Sequence, residues 1–342
     1  MRLQISESVN SNEWDKKICS VGGTIFHSST WAKYIVAGAP HVVPQFISLI
    51  SDDGELLGAA LGFKQGAMNK LFRRFKKSLW FDAIPVLRAH DEKTMYEFLQ
   101  LIERHVQGSG YGELSIGSFA SRDVSAEMGR LRFSLTRRFE FELNLDLPEA
   151  ELWEGMSYKR RKNIKKALRL GVTIHLLPGE EGVRELRRLH IDTSQRILKR
   201  GGPNIPLFNT YKQDPVNILI ASGKARIICA SINGTVVSAG LFTLFNDLAY
   251  YNLSGHSQRA LETQAPTLLL WESIKKHRDD GAKRFNLSGC KSSAVNKNSS
   301  EHGVYTYKKA FGAKTIRCSS GYKILLKHRY RVINLAKAVL RR

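Results

Sequence analysis

Hydrophobic positions along the chain alternate between runs of period two, which fit half-buried strands, and runs of period 3.6, which fit amphipathic helices. FHSSTWAKYIVAG predicts a helix capped by Ser28 or Ser29. PQFISLISDDGELLGAALGFKQ then supplies two β-rich runs about Asp52-Asp53-Gly54, the pattern of a hairpin. SLWFDAIPVL predicts a strand, TMYEFLQLIERHVQGSG an amphipathic helix ending at glycines, and GELSIGS a further strand.

The second half repeats that order. ARIICASINGTVVSAGLFTLF predicts a strand pair about Asn233-Gly234, LAYYNLSGH a strand, APTLLLWESIKKHRDDGA a helix ending at Gly281, and KRFNLSGC a strand. Hairpin, strand, helix, strand thus occurs twice at similar lengths, which an internal duplication of fold explains without sequence identity. The expectation is an α/β (α+β) chain of two units, residues 1–147 and 148–321, with the boundary where FEFELNLDL gives way to a helix near 146–154.

That helix, SYKRRKNIKKALRLGV, has Ser157 as N-cap, Gly171 as terminator, and Ile164, Ala167 and Leu168 on an expected apolar stripe. Lys159, Arg160, Arg161, Lys162, Lys165, Lys166 and Arg169 occupy the rest of it with no acidic residue among them. Like charges at helical spacing and cations in the first turn both oppose stability, so the composition points to contact with phosphates or an anionic surface; a solvated face is the plainer alternative.

Charge sharpens the division. Over 342 residues the net charge is +22, yet residues 1–150 hold 18 basic and 18 acidic residues while 151–342 hold 35 and 13. From Lys308 to Arg342 there are 11 basic residues and no acid. Residues 322–342 are expected to form a basic amphipathic helix, with Leu325, Val332, Ile333, Ala336, Val339 and Leu340 on one face, suited to docking on the protein and to contact with an anionic membrane or a nucleic acid, readings that are compatible. No basic-then-apolar leader opens the chain and no apolar run reaches the roughly 18 residues of a membrane span, so the expected location is the cytosol, with peripheral contact at the inner membrane face. Cys19, Cys229, Cys290 and Cys318 lack metal-ligand spacing and read as buried small hydrophobes rather than zinc ligands or disulfides.

Several enzyme classes are excluded by missing signatures: no Walker glycine loop, no GxGxxG opening a helix, no HExxH and no GxSxG. The ten histidines pair with no carboxylate or cysteine at diagnostic spacing.

Four segments nevertheless resemble, in order, those of the Fem-type (FemAB-like) aminoacyltransferases: FHSSTW near the N-terminus, RRKNIKKALRLGV, DTSQR with Thr193 and Arg196, and YKKAFGAK from Tyr307 to Lys314. The resemblance implies two tandem GNAT-like units, each a mixed, mostly antiparallel sheet flanked by helices, with the transfer site in the second and an acceptor-cleft wall in the first. It implies transfer of an acyl or aminoacyl group from an activated donor, aminoacyl-tRNA or acyl-CoA, to the amine of a cell-envelope peptide or sugar precursor, as in peptidoglycan or polysaccharide biosynthesis, with no tightly bound cofactor and no metal. It places Lys308 and Tyr307 at the reacting centre, Lys308 stabilising an oxyanion or phosphate. Tyr307 stands where the family usually has Phe.

Arg196 is the candidate for gripping an acceptor phosphate, with an ion pair to Asp192 as the alternative; Arg161 and Lys165 are candidates for binding donor or acceptor phosphates. Tyr250 and Tyr251, on the central strand of the second unit, point to opposite faces and are candidates for lining a substrate channel. Two departures stand out. The loop SGHSQRALETQAP has no glycine after Gly255, unlike the pyrophosphate loop of CoA-dependent GNAT enzymes, and Ile84-Pro85-Val86 stands where the cell-wall enzymes carry Gly-Pro-Val. A noncatalytic basic protein that binds nucleic acid or anionic membrane is the reading from another class.

Overall fold

The computed structural model describes residues 1–66, 77–199, 201 and 215–326. The described residues divide into two compact units, one drawn from residues 1–138 and 317–326, the other from residues 139–316.

The first unit runs β1 (Arg2–Ser6), α1 (Ser11–Ser20), α2 (Ser29–Gly38), β2 (Val42–Ile50), β3 (Leu56–Gly66), β4 (Lys77–Phe81), β5 (Val86–Leu87), α3 (Glu92–Gly108), β6 (Glu113–Ile116) and α4 (Ser125–Arg130). β7 (Ser134–Asn144) leads into the second unit, which continues with α5 (Glu149–Gly155), α6 (Tyr158–Arg169), β8 (Thr173–Leu177), α7 (Gly179–Lys199), α8 (Val216–Ala221), β9 (Ala225–Ile232), β10 (Thr235–Phe245), β11 (Leu248–His256), α9 (Gln258–Thr263), α10 (Ala265–Asp279), β12 (Arg284–Lys291) and α11 (His302–Lys309). β13 (Lys314–Ile324) returns to the first.

The expected duplication is present as topology. In the first unit the antiparallel hairpin β2–β3 is followed by β4, α3 and β6, with β4 and β6 parallel. In the second the hairpin β9–β10 is followed by β11, α10 and β12, with β11 and β12 parallel. A helical crossover is what a parallel neighbour requires. Ser28 caps α2 by accepting from the Trp31 N–H, and Ser157 caps α6 by accepting from that of Arg160. The Asn233-Gly234 turn carries positive φ at both residues (50° and 77°), as a two-residue hairpin demands.

Each unit has its own core. Phe81, Phe98, Leu99, Ile102, Leu114 and Met128 anchor the first; Phe141, Phe242, Leu269, Phe285, Leu287 and Phe311 anchor the second. Three local expectations are corrected. Leu168 is 56% exposed rather than part of the buried stripe, because Ile164 and Ala167 alone face the core. Cys19 is exposed, whereas the other three cysteines are buried. Residues 322–324 finish strand β13 rather than begin a helix, and Leu325 packs on the first unit's core with its N–H on the Gly112 carbonyl at 2.8 Å. Residues 327–342 of the expected basic helix lie outside the described residues. Among those described, no helix is long and apolar enough to cross a membrane.

Candidate active site

In the second unit the parallel pair β11–β12 is in register only from Leu248↔Arg284 to Tyr250↔Asn286. Beyond that point the strands part, and residues 251–254 lose the full burial of 248–250. A bulge at Asn252 accompanies the parting, since β10 passes from Leu241↔Leu253 to Phe242↔Tyr251 with Asn252 unpaired in the ladder. Bulges of this kind re-aim side chains and recur beside active sites.

Tyr250, on the buried side, donates its hydroxyl to Glu140 Oε1 at 2.9 Å, and Asn286 Nδ2 donates to Glu140 Oε2 at 2.8 Å. The strands are thus joined below the parting through a carboxylate that is 1% exposed. Tyr251 points the other way and stacks on Phe242 at 5.0 Å between centroids. Burial raises the Tyr251 phenol above its ordinary pKa, opposed by a hydrogen bond to Ser254 and reinforced by the nearby Tyr307.

Tyr307 and Lys308 sit on α11, the element that follows β12. Tyr307 is half-buried against the core; burial pushes its phenol up to about 12, opposed by a hydrogen bond to Thr267 and by the Arg160 charge. Lys308 is buried to 9% exposure and its Nζ donates to the Gly289 carbonyl of β12 at 3.3 Å, placing the ammonium beside the parted strand. Tyr251, Tyr307 and Lys308 are therefore brought together. Arg160, which sequence placed only within the basic run, joins them: its guanidinium lies over the Tyr307 ring, 4.2 Å from the centroid.

The motifs that carried the resemblance acquire physical roles. The Ser157 N–H donates to the Ala310 carbonyl at 2.9 Å, so the start of α6 is fastened to the end of α11. Gly312 has φ +83° and a Cβ there would lie 2.7 Å from the Gly155 carbonyl oxygen, so the Phe-Gly step needs glycine on both counts. Thr193 and Arg196 of α7 grip the end of β11: Arg196 Nη1 donates to the His256 carbonyl at 2.9 Å, and the His256 N–H donates to Thr193 Oγ1 at 2.9 Å. The chains approach so closely that a Cβ on Gly255 would lie 2.3 Å from the His190 nitrogen. Asp192 approaches Arg188 instead, at 3.8 Å. His256, whose Nδ1 is 2.7 Å from Ser238 Oγ, is depressed to about 4 by burial and by the neighbouring Arg196 and His190 charges.

On α6, Arg161 is committed to Glu154, with Nη1 2.8 Å from Oε2 and 3.0 Å from the backbone oxygen. Lys165 is exposed, and with Tyr158, Lys162 and Arg169 it falls at positions i, i+4, i+7 and i+11 of one file along the helix. Lys162, Lys165 and Arg169 have no partner among the described residues.

At the start of α10, Pro266 has no N–H, and the Thr267 and Leu268 N–H groups both donate to the Gln264 carbonyl. Of the four amides that a helix start leaves open, that of Pro266 is absent and those of Gln264 and Thr267 are spent on the Leu261 and Gln264 carbonyls.

In the first unit, Asp82 was signalled by no spacing rule. Burial pushes its carboxyl up to about 6, against a 2.7 Å hydrogen bond from Trp31 Nε1. The FHSSTW segment is bound to the same stretch, for His27 Nε2 lies 2.8 Å from the Ile84 carbonyl. Among the described residues no group of acids, histidines and cysteines could hold a metal ion.

Comparison with known proteins agrees with this architecture. Residues 219–338 match the model of the FemAB family. The crystal structure of FemX is similar over 97% of this chain and 100% of its own, with a TM-score of 0.73 at 14% identity. L-PGS from Bacillus licheniformis is similar over 97% of both chains (TM-score 0.56, 14% identity). A tandem GNAT protein from the clavulanic acid biosynthesis pathway is similar over 95% of this chain and 99% of its own (TM-score 0.53, 11% identity). No curated protein matches the sequence. The chain thus matches the FemAB family model over residues 219–338, and its fold is similar to that of FemX and of a tandem GNAT protein.

Proposed function

We propose that the protein is an aminoacyl- or acyltransferase that moves an acyl group from an activated donor to the amine of a cell-envelope peptide or sugar precursor. The observation that carries this reading is the parting of β11 from β12 above Tyr250 and Asn286, with Lys308 bonded to Gly289 at its margin and Tyr251 and Tyr307 beside it. Acyl transfer requires donor and acceptor held together and positive charge where the oxyanion develops. Lys308 supplies that charge, and Tyr251 and Tyr307, both kept protonated by burial, supply aromatic walls and phenolic donors.

The start of α10 favours an aminoacyl-tRNA over CoA. A CoA pyrophosphate is ordinarily cradled by free amides at such a helix start, and here Pro266 and the bond from Thr267 to Gln264 remove two of them. The exposed file Lys162, Lys165 and Arg169 offers an alternative place for a polyanionic donor.

The test is incubation of the full chain with labelled aminoacyl-tRNA or acyl-CoA and a panel of amine acceptors. Transfer that Lys308→Ala abolishes while the circular dichroism spectrum and melting temperature stay put supports the proposal. No transfer from either donor, or transfer indifferent to Lys308, overturns it, and polyanion binding that survives Lys308→Ala would then favour a noncatalytic binding protein.

A further inference from the structure

The first unit contains a cavity of about 280 Å³ whose lining includes Gln100, Glu103, Arg104, Arg130, Arg132 and Lys323. Its floor is internally neutralised: Lys323 Nζ is 2.5 Å from Glu103 Oε1, also donates to the Leu131 carbonyl, and Gln107 Nε2 donates to the same carboxylate oxygen at 3.0 Å. Its walls are not. Arg104 and Arg132 have no acidic partner among the described residues, and Arg130 is held only by stacking over the Tyr96 ring at 4.2 Å. Three guanidinium groups therefore line one concavity without an acidic partner of their own among the described residues, in a half of the sequence whose basic and acidic residues balance at 18 each.

Arg132 adds a second observation. It follows α4 with φ +60°, the left-handed conformation in which a helix usually ends on glycine. An arginine here costs backbone strain that glycine would avoid. The residue's position on the cavity wall gives that side chain a use.

We propose that this cavity is a binding site for a compact phosphoryl anion, a phosphate monoester or diphosphate group, carried either by a soluble metabolite or by a lipid headgroup. Guanidinium forks bind phosphate oxygens in pairs, and three of them around one concavity match a group of two or more charges. The neutral Glu103–Lys323 floor fixes the depth of the site without repelling the ligand. This site is independent of the transfer reaction proposed for the second unit.

The experiment is calorimetric titration of the full chain with inorganic pyrophosphate at fixed ionic strength, beside flotation with vesicles of phosphatidylcholine containing or lacking phosphatidic acid. Saturable binding near one per chain is expected, weakened about tenfold or more in Arg132→Gly and in Arg104→Gln. Arg132→Gly relieves the strained backbone, so its melting temperature should hold or rise while binding falls, which separates loss of the site from loss of the fold. Lys16→Gln, an exposed cation of α1 outside the cavity, should bind as wild type does. Pyrophosphate binding without preference for phosphatidic acid identifies a soluble ligand, and selective vesicle binding lost in the same variants identifies a headgroup. Binding to neither probe, non-saturating binding, or binding unchanged in Arg132→Gly and Arg104→Gln overturns the proposal.

Discussion

The guanidinium of Arg160 lies 4.2 Å from the centre of the Tyr307 ring, and its Nε is buried without a hydrogen-bond acceptor. Stacking, rather than hydrogen bonding, thus holds this arginine, and through it the basic helix α6 is fixed against the residue that precedes Lys308. A cation on an aromatic face contributes about 0.5–2 kcal/mol, whereas an unsatisfied buried donor costs about 1–3 kcal/mol. The two nearly cancel. Arg160→Met, which keeps the packing and removes the orphan donor, should therefore leave urea-unfolding stability within about 1 kcal/mol of wild type. Acyl transfer should fall in the same variant, because the positive charge beside Tyr307 is gone. Stability loss well beyond that range would show that Arg160 serves the fold alone.

Tyr250 and Glu140 predict the opposite pattern. Glu140 is 1% exposed and receives Tyr250 and Asn286 on its two oxygens, so the carboxylate needs both donors. Tyr250→Phe removes one and should destabilise the protein by about 1–3 kcal/mol, the range for losing a hydrogen bond to a buried charged group. Glu140→Gln keeps a carbonyl for one donor but presents an amide to the other, and should cost a similar amount. Urea denaturation of both single variants and the double variant checks this, and their non-additivity measures the coupling.

Much of this arrangement was legible in the sequence because local rules govern it. Period-two runs about Asn233-Gly234 and Asp52-Asp53-Gly54 yield the hairpins, serine caps mark α2 and α6, and strict alternation sends Tyr250 and Tyr251 to opposite faces. What was not legible depends on partners far apart in the chain. Arg161 and Arg160 look alike in a basic run, yet one is tied to Glu154 and the other to Tyr307, 147 positions away. Asp82 is unremarkable until burial beside Trp31 raises it, and Leu168 fits the apolar stripe by spacing although no element covers it. The three arginines of the first unit's cavity vanish in a balanced charge count, since α3 and the end of α4 are brought together only by packing.

Acid should destabilise the protein between about pH 6.5 and 4. His27, His256 and His277 are each depressed to about 4, chiefly by burial. Their unfolded forms take up protons near 6.5, so the stabilising effect is complete above that value and is lost as pH falls towards 4. Asp82 acts the other way: its folded pKa of about 6 exceeds the unfolded 3.8, so its protonation stabilises the fold as pH falls through 6, and that contribution is lost as pH rises through 6. Three histidines against one aspartate leave a net slope of about 2–3 kcal/mol per pH unit in the window where all four titrate. Asp82→Asn removes the opposing group while keeping an oxygen for Trp31. It should raise stability at pH 7 by about 1–3 kcal/mol and steepen the acid limb. A flatter limb in Asp82→Asn, read from urea midpoints at pH 4.5, 5.5 and 7, would contradict this assignment.

The exposed cations of α6 should control salt-sensitive binding, and those already paired should not. Tyr158, 74% exposed, begins a file continued by Lys162, Lys165 and Arg169, which spans about 16 Å at 1.5 Å per residue. Successive cations at about 4.5 and 6 Å along the helix are close enough to neutralise neighbouring phosphates of a nucleic-acid strand, and an aromatic at one end can stack on a base. Each phosphate neutralised contributes about 0.7–0.9 to the slope of log K against log salt, so replacing Lys162, Lys165 and Arg169 with glutamine should reduce that slope by about 2–3 for tRNA. Arg161→Gln should scarcely change it, because that guanidinium is spent on Glu154; its cost should appear in stability, at no more than about 1 kcal/mol for a pair exposed on one side. Filter binding of tRNA over a salt series, with both variants and wild type, separates the two roles. An equal loss of slope in Arg161→Gln and in the triple variant would mean that the Glu154 pair opens when a polyanion binds.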